Sequence, residues 1–199
     1  MDIRVGKKIV HTISLFGIAL SIWMVVYFIR LGVFQDTRAL EGLLGDRVIL
    51  GPILFILTQI IQIVVPIIPG GTTNVAGVLL FGPVLGFAYN FIGNVIGSII
   101  LFLLGKKFGK NLALTLVNEK TYNKYIGKLD NGKKWSTFFT IMMISPVAPD
   151  DALVLMTSLT KMSLKKFTAI VVVGKFASIA VYSYLLMYGG ELLTKFLIR

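Results

Sequence analysis

The chain has 199 residues, of which 56% are hydrophobic and only 15% charged, and its mean hydropathy is +0.85. That balance excludes a water-soluble globular domain and leaves an integral membrane protein, a single membrane domain over 1–199 with no room for a separate soluble module. Twenty Lys and Arg against nine Asp and Glu give a net charge of +11, but the cations lie between apolar blocks, which suits anionic lipid headgroups and retention on the cytoplasmic side rather than nucleic acid.

Arg4, Lys7 and Lys8 precede an uncharged run over 12–29, longer than a signal-peptide core and followed by no small-residue cleavage site. It reads as an uncleaved first transmembrane helix with the N-terminus cytoplasmic. Residues 30–48 balance three arginines against three acids, as an outer segment can. From Val48 to Gly105 no residue is charged, and the following 106–134 segment carries eight lysines against Glu119 and Asp130. Such a segment belongs on the cytoplasmic side, so the apolar stretch must cross the bilayer an odd number of times. Three helices of about 20 residues would not fit, and a single one would leave half of it unused. The solution is a re-entrant hairpin over 49–82, entering from outside, followed by a span over 84–104. Its tip is Pro66, Pro69, Gly70 and Gly71, where missing N–H groups and flexible glycines end a helix.

After the basic segment, an apolar stretch over 135–160 lies between Lys133 and Lys134 on one side and Lys161, Lys165 and Lys166 on the other. Both flanks read as cytoplasmic, so this stretch is a second hairpin, entering from inside, with Pro146 and Pro149 at its tip. A final span over 166–188 returns the chain to the outer face. A shift of 80 residues lays Pro66, Pro69, Phe87, Ser98 and Ile99 on Pro146, Pro149, Phe167, Ser178 and Ile179. The expected fold is therefore all-α: a polytopic membrane protein with about three full transmembrane helices and two opposed re-entrant helical hairpins. Repeat unit 1 occupies 49–104 and repeat unit 2 occupies 136–188, joined by a cytoplasmic, basic, interfacial 106–134. This is an inverted-topology repeat, in which transport sites lie between facing broken helices.

Pro66, Pro69, Gly77, Phe81-Gly82, Gly86, Gly93, Gly97-Ser98, Gly105 and Gly109, in that order, resemble the VTT-domain family, the SNARE-associated Golgi proteins that include bacterial DedA proteins. In the second half the resemblance continues through Ser145 to Asp151, Leu159 to Ser163, Phe167 and Gly174-Lys175, covering about 49–190. It implies two opposed hairpins, residence in the bacterial plasma membrane, and movement of phospholipid or undecaprenyl phosphate between leaflets. Two features depart from the DedA pattern: Met143-Ile144-Ser145 stands where many relatives have an arginine, and Pro69-Gly70-Gly71 where an acidic residue is usual. They point to a different branch of the superfamily.

Asp150 and Asp151 are the most informative pair, because a carboxylate near a bilayer centre costs about 2.5–3.5 kcal/mol on insertion scales. Either they line a watery crevice, coupling to protons or touching a headgroup, or one of them caps the helix that follows Pro149. Lys175, the one charge between Phe167 and Gly190, either pairs with these acids or faces a lipid phosphate. Thr72, Thr73 and Asn74 after the first tip suit either a phosphate at a helix start or ordinary capping. Gly82, Gly86, Gly93 and Gly97, with Asn90, Asn94 and Ser98, make a small-residue side for close helix packing. Leu112, Leu116, Tyr125, Ile126 and Leu129 suggest a helix lying on the inner leaflet, and His11 reads as a solvated interfacial residue.

With no cysteine, one histidine, no phosphate loop and no nucleophile beside a base, neither an enzyme, a metal site nor a cofactor is expected. The expected function is a lipid translocase or scramblase moving a phosphate-bearing lipid. The alternatives are a proton-coupled small-solute transporter and a non-transporting membrane scaffold. Partners are anionic or phosphate-bearing membrane lipids and protons, not nucleic acid, and the oligomeric state is left open, homo-oligomer included.

Overall fold

The computed structural model describes residues 50–64, 70–117, 119–129, 131–145 and 148–197, with backbone alone for 50, 70–72 and 185–197. The expected first span over 12–29, His11, Pro66, Pro69 and Pro146 lie outside the described residues. Within them the protein is all helical and has no strand: α1 (Leu50–Val64), α2 (Gly70–Leu116), α3 (Glu119–Ile126), α4 (Gly132–Ile144), α5 (Asp150–Ser158) and α6 (Leu164–Leu197).

Helix α2 is interrupted at Gly82 (φ 76°, ψ 174°) and Gly109 (φ 58°, ψ −139°), so it consists of segments 70–81, 83–108 and 110–116. A side chain at positive φ crowds its own backbone, which is why glycine holds both breaks. Pro83 then restarts the helix where its missing N–H is no loss. Gly82 therefore departs from the packing role expected for it with Gly86, Gly93 and Gly97: a Cβ placed there meets nothing within 4 Å, and the backbone angle alone requires glycine. Gly82→Ala is expected to cost about 1–2 kcal/mol, read as a lowered melting temperature in detergent with an unchanged helical spectrum. Gly70 and Gly71, expected in the tip, already form the first turn of α2, where N–H groups have no intrahelical partner and glycine is tolerated.

The other three glycines are sites of close approach. Gly86 lies against the backbone of Gly77 and Val78, Gly93 against Gln59 and Gly97 against Ile63, so α1 and segment 70–81 both lie tightly on segment 83–108. In the second half, Gly174 of α6 lies against Met143 of α4. The halves join where Gly105 meets Ser158 and Leu155 of α5, and where the Phe102 ring stacks 4.0 Å from that of Phe167. Phe139 also stacks on Phe167 at 5.7 Å, and Leu153, Val154, Leu155, Met156 and Val171 are buried in the same core.

Two expectations change. The apolar residues of the lysine-rich segment do not lie as one separate helix: the chain breaks at Gly109 and continues as 110–116 and α3. Tyr125 is buried there with Ala113, Val117 and Tyr122, and Leu112, Leu116, Ile126 and Leu129 pack against the same core. Burying these aromatic and aliphatic groups against the second half outweighs leaving them at a surface. The last helix also continues to Leu197, past the expected end at 188, through a stretch in which Glu191, Leu192, Leu193, Lys195 and Leu197 are good helix formers.

Helix α1 is inside-out relative to a helix in water. Ile53, Leu54, Leu57 and Ile61 are 48%, 50%, 47% and 57% exposed, whereas Gln59 and Gln62 are 1% and 5% exposed. Both glutamines face the protein, beside Phe55 and Ile63, while those four apolar side chains face outward, as an apolar surrounding medium favours. The stretches Thr73–Leu116 and Leu164–Tyr184 are long and apolar enough to cross a membrane.

Candidate functional site

The buried face of α1 begins a chain of polar side chains that runs through both halves. Gln62 Nε2 donates to Thr73 Oγ1 at 3.1 Å, and Gln59 Nε2 donates to Asn74 Oδ1 at 3.4 Å and to Asn90 Oδ1. Asn90 Nδ2 donates to the Asn74 carbonyl at 2.9 Å. Asn94 Nδ2 donates to Asn74 Oδ1 at 3.2 Å and to the Asn90 carbonyl at 2.8 Å. Because Asn90 and Asn94 are four residues apart on one helix, they present one polar stripe. The break at Gly82 folds segment 70–81 back so that Asn74 meets that stripe.

Across the halves, Lys175 Nζ of α6 donates to Asn94 Oδ1 at 3.1 Å and forms an ion pair with Asp150 at the start of α5. Lys175 is buried, with 3% of its side chain exposed, while Asp150 keeps 35%. The other Asp150 oxygen accepts the Asp151 N–H at 3.0 Å, so this carboxylate both pairs with the lysine and occupies a free amide of the first turn. Pro149 holds the N-cap position and offers no side-chain cap. Asp151 lies beside a cavity of about 240 Å³ whose other walls are Leu101, Leu116, Val117, Thr121, Pro149, Ala152 and Leu155. Its Oδ1 is buried and accepts no hydrogen bond.

Of the residues singled out in the sequence, Asn74, Asp150 and Lys175 thus join one connected network, Thr73 pairs with Gln62 beside it, and Asp151 adjoins its far end. Nothing is described of the Thr72 side chain, and Pro66, Pro69 and Pro146 lie outside the described residues. Gln59 and Gln62 were not anticipated, and Asn90 and Asn94 were read as packing rather than as the bridge between halves. The available signal was two glutamines three residues apart within a charge-free apolar run, which places both on one helical face.

One lysine and two aspartates give the cluster more formal acid than base. Amides and hydroxyls that both donate and accept surround it, so the arrangement can exchange partners with a polar group that enters. Among the described residues no three His, Cys, Asp or Glu side chains converge as metal ligands would.

Comparison with known families gives one match: the family model described as the VTT domain covers residues 68–188, more than half of the chain. No curated protein and no solved structure matches it. The matched region contains every residue of the polar network except Gln59 and Gln62 on α1.

Proposed function

The chain belongs to the VTT-domain family of membrane-associated proteins, and we propose that it translocates a phosphate-bearing lipid, a phospholipid or undecaprenyl phosphate, between the leaflets of the bacterial plasma membrane. In this reading α1 with segment 70–81, and α4 with α5, are re-entrant hairpins that enter from opposite sides, and segment 83–108 and α6 are the spans of an inverted repeat. The N-terminus and the 106–134 lysines lie in the cytoplasm.

The observation that carries the proposal is the polar chain from Gln59 through Asn74, Asn94 and Lys175 to Asp150, inside a shell whose outward side chains include Ile, Leu, Val and Phe. Stability alone gives little reason for it, because well-packed apolar residues generally replace a buried ion pair at no loss. A polar seam makes sense where a hydrated headgroup must pass while its acyl chains stay in the bilayer. Each amide can replace a water of the headgroup by a hydrogen bond, and Lys175 can exchange Asp150 for a lipid phosphate. No ATP-binding motif occurs in the sequence, so movement runs down a gradient or is coupled to an ion.

Purified protein reconstituted with fluorescent phospholipid or undecaprenyl phosphate is expected to make inner-leaflet label accessible to an outer quencher, and protein-free leakage rates would refute the proposal. Asp151→Asn is expected to slow the movement by about tenfold, the consequence of losing a carboxylate that can carry a proton or accept from a headgroup N–H at the barrier, with an unchanged melting profile. The unpartnered Asp151 oxygen also favours a second reading, proton-coupled transport of a small solute. Solute uptake driven by an imposed pH gradient, without lipid movement, would select it.

A further inference from the structure

Away from the polar seam, at the junction of α3 and α4, a cavity of about 350 Å³ is lined by Gly127, Lys128, Asn131, Lys134, Trp135 and Phe138. We propose that this cavity is a binding site for the headgroup of an anionic phospholipid, held as a resident lipid rather than as transported cargo.

Its rim is cationic. Lys128 and Lys134 are exposed, and residues 120–134 carry five lysines against Asp130 as their one acid besides the neutral polar groups. Lys128 Nζ lies 5.9 Å from the ring centroids of both Tyr125 and Phe138, so two aromatic faces hold its ammonium group at the mouth while leaving its donors free to turn outward. The cavity also lies at the first turn of α4, where Asn131 Oδ1 accepts the Lys134 N–H at 3.1 Å and the helix dipole favours negative charge.

The floor is apolar. Trp135 is buried and its indole N–H is already spent on Thr157 Oγ1 at 3.1 Å, so it offers the cavity ring carbons and no donor. Phe138 adds a half-buried ring beside it. A small soluble anion gains nothing from such a floor. A phospholipid does, with phosphate oxygens at the two lysines and the glycerol and first acyl carbons on the two rings, which is how an aromatic and basic belt meets a membrane interface.

The site stands on residues separate from the seam, so it can fail without affecting the translocase proposal, and the reverse also holds. The test is native mass spectrometry of the full chain in detergent, titrated with phosphatidylglycerol or phosphatidylcholine. Wild type is expected to retain phosphatidylglycerol in preference to phosphatidylcholine, and Lys128→Gln with Lys134→Gln to weaken that retention by about thirtyfold, the combined effect of two lysines near an anionic surface. Lys161→Gln with Lys165→Gln removes the same charge elsewhere and is expected to leave retention within about twofold, as for distant surface charges. Phe138→Ser, which keeps the charges, is also expected to weaken it. Equal loss in the two lysine pairs would reduce the effect to diffuse charge, and displacement of the lipid by excess inorganic phosphate would reassign the cavity to a soluble anion. Either outcome overturns the proposal.

Discussion

Replacing Asp150 by leucine is expected to destabilise the protein by about 3 kcal/mol, because it removes the ion-pair partner of Lys175, whose side chain is 3% exposed, and leaves Asn94 as its hydrogen-bond acceptor and Asp151 as the nearby acid. The reverse substitution is predicted to be milder. Lys175→Met leaves Asp150, which keeps 35% of its side-chain exposure and still accepts the Asp151 N–H. The double variant should recover most of the loss, since an apolar pair carries no desolvation cost. Thermal unfolding of the three variants in one detergent checks the order. The pair has no structural weight if Asp150→Leu melts with wild type, and it is not a pair if the double variant is as unstable as the sum of the singles.

The second large effect belongs to Gly86. A Cβ there would overlap the Gly77 carbonyl oxygen and stand 2.7 Å from both the Gly77 carbonyl carbon and Val78 Cα, all of them backbone atoms. No side chain can rotate away, so the limb 70–81 must shift from segment 83–108 and carry Asn74 away from Asn90 and Asn94. Gly86→Ala is predicted to cost about 3 kcal/mol, the upper part of the range for overpacking, and to lower lipid movement together with stability. The comparison with Gly82→Ala is informative, because that residue meets no neighbour and its substitution strains only the backbone. Equal melting temperatures for the two variants would contradict the close approach at Gly86.

The contrast between these two glycines indicates how far the sequence could be read. Gly82 and Gly86 both fall on a small-residue pattern, and only the proline after Gly82 hinted that its role was to break the helix. The helical class followed from length and hydropathy, and the pairing of Lys175 with an acid of the Asp150-Asp151 pair was one of the two readings that their charge allowed. Which acid meets Lys175 did not follow, because the two residues are 25 positions apart and the choice depends on how α5 enters beside α6. Gln59 and Gln62 escaped notice because a neutral amide in an apolar run carries no charge penalty to attract attention. The lysine-rich segment misled in another way. Its leucines and tyrosines have the composition of a membrane-surface helix, but Gly109 divides the run and the aromatic groups find a protein core before they find lipid.

The claim that the two hairpins turn back within the bilayer, one from each side, is tested most directly by thiol labelling, for which the absence of native cysteine makes the chain well suited. Single cysteines at Pro69 and Pro149 would be exposed to a membrane-impermeant reagent added to one face or the other. The account predicts that Pro69→Cys reacts from the outer face and Pro149→Cys from the face that carries the 106–134 lysines. Reaction of either cysteine from the opposite face would mean that the segment crosses the membrane completely, and the opposed arrangement with its shared polar seam would be wrong.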